Sequence, residues 1–153
     1  MKKLLLLTTL FLAFACSKDE ADDDNSNENQ TFLEKYDGFG FYAGDEYVDE
    51  YYFFYDSDVF LKYVDIGISD GETYCESIRT GNYSDDGDSV EIKILKNDQS
   101  RLTVQVSYTY DGTTEIETSE FSIDSSGNNL TVLTGNDSEI YTKTTKSYSS
   151  LCN

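Results

Sequence analysis

Hydrophobic and polar residues alternate with a period of two through much of the chain beyond residue 37. Val90, Ile92 and Ile94 fall on one parity, with Glu91 and Lys93 on the other. Leu102, Val104, Val106, Tyr108 and Tyr110 make the next row, opposed by Thr103, Gln105, Ser107 and Thr109. Successive strand side chains point to opposite faces, so this pattern predicts strands with one buried face. Further strands are expected over residues 114–123, 129–134 and 139–144, and in a more aromatic first half over 38–42, 47–55 and 59–66. A single strand over 74–83 is expected to join the halves. Asp86-Gly87, Asp111-Gly112, Ser126-Gly127-Asn128 and Gly135-Asn136 set turn residues between these runs, as in hairpins. Within 114–123 the parity changes, with Ile116 on one face and Phe121 and Ile123 on the other. A bulge is the expected repair. The only helical stretch expected is a brief turn near residues 31–36.

The reading is therefore all-β: an antiparallel meander of eight or nine strands. Such a sheet must cover its two margins or close, and closure into an up-and-down barrel removes them. Composition agrees. The chain has no Pro, Trp or His but 13 Tyr, and aromatic and β-branched residues suit a pleated, half-buried surface. Residues 31–153 are the size of one domain with one core.

Before the strands the pattern is different. Lys2 and Lys3 precede apolar stretches at 4–7 and 10–14, then Ala13, Ala15 and Cys16. That is a secretory signal pattern, with an apolar run too short to stay as a spanning helix. Residues 16–30 hold six acids against Lys18 and no aromatic residue, a composition that cannot bury enough apolar surface to fold. The division expected is 1–15 signal peptide, 16–30 disordered acidic tether and 31–153 β-barrel domain.

The placement of Cys16 resembles the lipobox of bacterial lipoproteins. That resemblance implies acylation of Cys16, with palmitate as a label, and a membrane anchor at the mature N-terminus. A plain signal peptide with an incidental cysteine, or an uncut anchor, are the other readings. Ser17, Lys18, Asp19 and Glu20, followed by Asp22, Asp23 and Asp24, resemble the acidic export signal of certain Gram-negative surface lipoproteins. This implies the outer membrane and the cell surface; a solvated linker has the same composition.

A second resemblance lies in the strands. Phe32-Leu33-Glu34-Lys35-Tyr36-Asp37-Gly38, Gly38-Phe39-Gly40-Phe41, Gly81-Asn82-Tyr83, Phe121-Ser122-Ile123, Gly127-Asn128-Asn129-Leu130-Thr131-Val132 and Ile140-Tyr141-Thr142-Lys143 follow one another. In this order they are similar to the small lipocalin-like lipoproteins of Gram-negative bacteria. The resemblance implies a lipocalin-like barrel with a small apolar ligand cavity, and no particular ligand.

Charge narrows the partners. The chain carries 30 acids and 11 bases, a net charge of −19, and removing residues 1–15 takes away only Lys2 and Lys3 among the charged residues. Nucleic acid is excluded as a partner, since phosphate backbones need clustered Lys and Arg. Direct docking onto anionic headgroups is disfavoured for the same reason. A cationic protein would be attracted, although a well-solvated, aggregation-resistant surface explains the acids more simply.

With Cys16 acylated, Cys75 and Cys152 remain, and an oxidising compartment favours joining them. Two buried free thiols are the alternative. A bridge would pin residues 147–153 beside the strand at 74–83 and stabilise the fold by roughly 4–4.5 kcal/mol in the chain-entropy account.

Without His there is no Ser-His-Asp or Cys-His site and no common zinc site. A carboxylate pair would suffice for a glycosidase, but the acids are too many and too scattered to single out two. Asp85, Asp86 and Asp88, and Asp56-Ser57-Asp58, lack the EF-hand spacing and match ordinary turn chemistry. No enzyme, cofactor or metal is expected. Two functions stay open. One is a barrel holding a small hydrophobic or sugar-like ligand among Tyr51, Phe53, Tyr55, Tyr63, Tyr108 and Tyr110, whose polar-tipped rings suit a pocket that is apolar within and wet at its rim. The same rings could simply fill a small barrel. The other is a surface interaction protein whose anionic exterior meets a cationic protein or a partner in a surface complex.

Overall fold

A computed structural model of the chain describes residues 30–85 and 88–152. The expected signal peptide, Cys16, the expected acidic tether up to residue 29 and the expected turn at Asp86-Gly87 lie outside the described residues.

The first element is a single helical turn, α1 (Phe32–Lys35), set by a capping box. The Glu34 amide donates to Thr31 Oγ1 (3.3 Å) and the Thr31 amide donates to Glu34 Oε2 (2.7 Å). Two of the N–H groups left without a partner at a helix start are satisfied in this way. The turn lays Phe32, Leu33 and Tyr36 under the sheet, and all three are buried.

Ten strands follow: β1 (Gly40–Gly44), β2 (Val48–Phe54), β3 (Val59–Gly67), β4 (Thr73–Arg79), β5 (Gly81–Asp85), β6 (Asp88–Asn97), β7 (Arg101–Tyr110), β8 (Thr113–Ile123), β9 (Asn129–Thr134) and β10 (Asp137–Thr144). A last helical turn, α2 (Tyr148–Leu151), lies near the C-terminus. The strands form one antiparallel, nearly closed barrel-shaped sheet in the order β4-β3-β2-β1-β10-β9-β8-β7-β6-β5. The up-and-down architecture expected from the alternation is thus present. Its first and last strands meet, with Gly40 opposite Thr144 and Tyr42 opposite Thr142.

Two details differ from the sequence reading. The stretch at 74–83 is two strands, not one, because Gly81 adopts φ +146°, where a side chain is strained. The chain swerves there, and β4 and β5, consecutive in sequence, become the two margins of the sheet. Nor does β8 carry the expected bulge. It pairs with β7 without interruption from Tyr110–Thr113 to Arg101–Ser122. The register shifts fall instead between Val59 and Leu61 and between Ile94 and Lys96. The β7–β8 hairpin turns on Asp111 and Gly112, at φ 48° and 75°, the two positive values that a primed two-residue turn requires.

The main core fills one end of the barrel. Phe41, Phe54, Phe60, Leu102, Phe121 and Leu130 pack there on Phe32 and Leu33 from α1 and on Tyr36 just after it. Phe54 meets Phe32 and Phe121 edge-on at 5.2 and 5.6 Å between ring centres, a favoured aromatic geometry. A smaller cluster lies on the outer face. Tyr51, Phe53 and Val64 are covered there by Tyr148, Leu151 and Cys152 of the C-terminal tail. The expected Cys75–Cys152 disulfide is formed, with 6.1 Å between Cα atoms, and Lys146 Nζ donates to the Tyr51 hydroxyl at 2.7 Å.

Candidate functional site

In an up-and-down sheet the connections alternate between the two ends. Those after β1, β3, β5, β7 and β9 gather at the end opposite α1. At this open end the inner face stops being apolar. Residues directly opposed in an antiparallel pair share a face. Tyr52 is opposite Tyr63, Tyr63 opposite Glu76, and Glu50 opposite Asp65. Across the barrel, Val106 is opposite Glu117 and Tyr108 opposite Glu115. The mouth is therefore lined by tyrosines and carboxylates.

Hydrogen bonds tie them together. Glu50 accepts from the Tyr63 hydroxyl (2.6 Å) and from the Tyr141 hydroxyl (2.9 Å). Tyr141 Oη also lies 2.6 Å from Glu139 Oε2, so a single hydroxyl proton serves two carboxylates. Burial, then the bond to Glu139, pushes the Tyr141 hydroxyl well above its ordinary range. Burial, then the bond to Glu50, does the same to Tyr63. Tyr52 is pushed up to about 12 by burial and then by the charge of Glu50, with Glu139 and Glu117 adding to it. Tyr108 is raised by burial and then by Glu117 and Glu76. Glu117 thus acts on rings from both walls, and the carboxylates form one electrostatic ring.

No base offsets this ring. The five open-end segments, residues 43–50, 65–76, 83–91, 108–117 and 134–139, contain four, four, four, three and two acids and no Lys or Arg. The rest of the domain holds seven acids and all eight of its bases. Of the three ion pairs among the described residues, Lys96–Asp98 and Arg101–Glu120 lie toward the closed end, and Lys93–Glu91 joins neighbours along β6. Glu50 and Glu139 meet at one hydroxyl, but among the described residues no three acidic or thiol groups could hold a metal ion. The open-end carboxylates are spaced around a mouth that offers hydroxyls and ring faces between them. One recess of about 230 Å³ at its rim is bounded by Ala43, Gly44, Asp45, Val48, Glu50, Glu139 and Ile140.

Of the residues expected to line a pocket, Tyr63 and Tyr108 face inward, and Tyr110 continues their row to the rim, 71% exposed. Tyr51, Phe53 and Tyr55 do not join them. Tyr51 and Phe53 belong to the outer face of β2, beneath Tyr148 and Leu151, and Tyr55, just past the end of β2, packs against the same cluster; the inward residues of that strand are Glu50, Tyr52 and Phe54. The reason is that residues 51–55 are aromatic on both parities, so alternation could not say which face was inside. Glu50, Tyr52, Glu76, Glu117, Glu139 and Tyr141 escaped the sequence reading. One signal for two of them was present. The change of parity in 114–123 marks the point where Glu115 and Glu117 replace apolar residues on the inner face, leaving Ile116 outside and 63% exposed.

No protein-family model, no curated protein and no solved structure matches the chain.

Proposed function

We propose that this protein is a non-catalytic binding module that takes a small, positively charged organic ligand at the open end of its barrel. The carrying observation is the inward ring of Glu50, Glu139 and Tyr141 with Tyr63, whose carboxylates have no Lys or Arg beside them. A ligand ammonium is attracted both to a carboxylate and to a tyrosine face, and hydroxyls on a sugar-like ligand would find further partners in the same ring. A purely hydrophobic ligand is less well supported, because the apolar end is occupied by the rings of the protein itself. The second reading, docking of a cationic protein, is favoured by the uniform negative charge of the five open-end segments.

The module is held at the cell surface through acylated Cys16 in the outer membrane. Lys2, Lys3, the apolar stretches to residue 14, Cys16 and the acids after it support this reading.

Calorimetric titration tests the ligand class. An alkyl amine and an aminated sugar should bind, with a neutral sugar of the same size at least tenfold weaker, and Glu50→Gln should abolish the difference. Equal binding of charged and neutral sugars refutes the cationic ligand. If only basic proteins bind, with a steep dependence on salt, the second reading replaces the first. Palmitate labelling of the wild type and of Cys16→Ala tests the anchor, and label persisting in the variant refutes it.

A further inference from the structure

The closed end holds a groove with the opposite electrostatic character. It has a volume of about 530 Å³ and runs between α1, the β6–β7 and β8–β9 turns and the end of β10. Lys35 and Lys143 line it together with Tyr36 and Phe39. The two rings meet edge-on, 5.7 Å between centres, and each carries an ammonium. Lys143 Nζ lies 3.7 Å from the centre of Phe39 and Lys35 Nζ lies 5.2 Å from the centre of Tyr36. Two cations are therefore gathered on one aromatic pair, and neither lysine belongs to the three ion pairs of the described residues.

Only one carboxylate lines the groove, that of Asp124. Its oxygens are engaged by its own turn. They accept from Asn129 Nδ2 (2.7 Å), Ser126 Oγ (2.8 Å) and the amides of Asn128 (3.1 Å) and Asn129 (3.3 Å). These bonds, the Asn129 side chain first, hold its carboxyl at about 2. Asp124 is thus the stitch of the β8–β9 turn and not a counter-ion for the lysines. Since all eight bases of the domain lie outside the five acidic segments, this is the end where an anion meets the least repulsion.

We propose that the Lys35–Lys143 groove is a site for a phosphate ester, whose charge sits between the two ammoniums beside Phe39 and Tyr36. Lysine acts on phosphate as a point charge, and an anion seated between the two ammoniums offsets the repulsion that they impose on one another across the ring pair. The same phosphate chemistry is offered by a soluble sugar phosphate and by a phospholipid headgroup. The site is independent of the mouth and lies at the opposite end from it.

Amide chemical shifts of the full chain, titrated with glycerol phosphate at constant ionic strength, test the site. Shifts are expected to concentrate at Tyr36, Ser100, Ser126 and Gly127. Affinity should fall about tenfold in Lys35→Gln/Lys143→Gln, be restored by Lys35→Arg/Lys143→Arg, and stay unchanged in Lys93→Gln. Vesicles of phosphatidylglycerol, set against phosphatidylcholine, form the second arm. Lysine-dependent binding to the anionic vesicles alone assigns the site to a lipid headgroup, and lysine-dependent binding of glycerol phosphate assigns it to a soluble ester. If both probes leave those amides unmoved, or bind the double glutamine variant as tightly as the wild type, the proposal is overturned.

Discussion

The two ends of the barrel use the same strands and the same alternation, yet they are built for different ends. At the closed end the inner face is Phe41, Phe54, Leu102 and Leu130, plugged by α1, and outside the five open-end segments the bases of the domain outnumber its acids by one. At the open end the inner face is Glu50, Glu76 and Glu117 among tyrosines, and the segments around it have no base. Burial of apolar area stabilises the first; the second gathers like charges that repel one another. The contrast shows stability and recognition separated along a single axis. A barrel that put its carboxylates at the filled end would have to desolvate them, at a cost of several kcal/mol for each ion.

The largest expected effect comes from the core. Phe54→Ala should destabilise the protein by about 3–5 kcal/mol, whereas Tyr110→Ala at the rim should stay within about 0.5 kcal/mol. Urea melts of the pair measure this, and equal losses would erase the distinction between the ends. Next is the bridge that straps α2 over Tyr51 and Phe53. Removing it as Cys75→Ala/Cys152→Ala should lower stability by about 2–5 kcal/mol, and intact mass before and after reductant should differ by about two hydrogens.

Third, Tyr141→Phe removes the hydroxyl shared by Glu50 and Glu139 and should cost about 1 kcal/mol. The same hydroxyls set an alkaline limit. Tyr52, Tyr63 and Tyr141 hold their protons above the ordinary tyrosine range in the fold, while an unfolded tyrosine ionises near 10. The unfolded chain therefore binds fewer protons above pH 10, and stability should fall as pH rises from there towards 12. A melting temperature that is flat over that window contradicts the buried ring. The smallest effect is ionic. Raising salt from about 0.1 to about 1 M shortens the screening length from about 10 to about 3 Å and should raise the melting temperature. Glu115→Gln/Glu117→Gln should mimic that gain by a few tenths of a kcal/mol, an effect of the size measured for close like charges.

Much of the fold was legible because its signals are local. The rows Val90 to Ile94 and Leu102 to Tyr110 are strands as their alternation demands, and Asp111-Gly112 forms the turn its residues favour. The disulfide was expected because Cys75 and Cys152 are the two cysteines left once Cys16 is set apart. The site was less legible. Residues 51–55 are aromatic on both parities, and the outer parity is buried only because the C-terminal tail, some 95 residues onward, lies over it. Tyr141 gains its meaning from Glu50, 91 residues away. Neither relation leaves a trace in a window of ten residues.

By itself, then, the sequence determined the class of element, the positions of most turns and the total charge, since each depends on neighbours along the chain. Only the tertiary structure decided which parity of β2 faces inward, that the sheet opens between β4 and β5, and that the charge is sorted by end. Those outcomes depend on register and closure. An up-and-down sheet brings every second connection to the same end, so acids scattered over a hundred residues become one mouth.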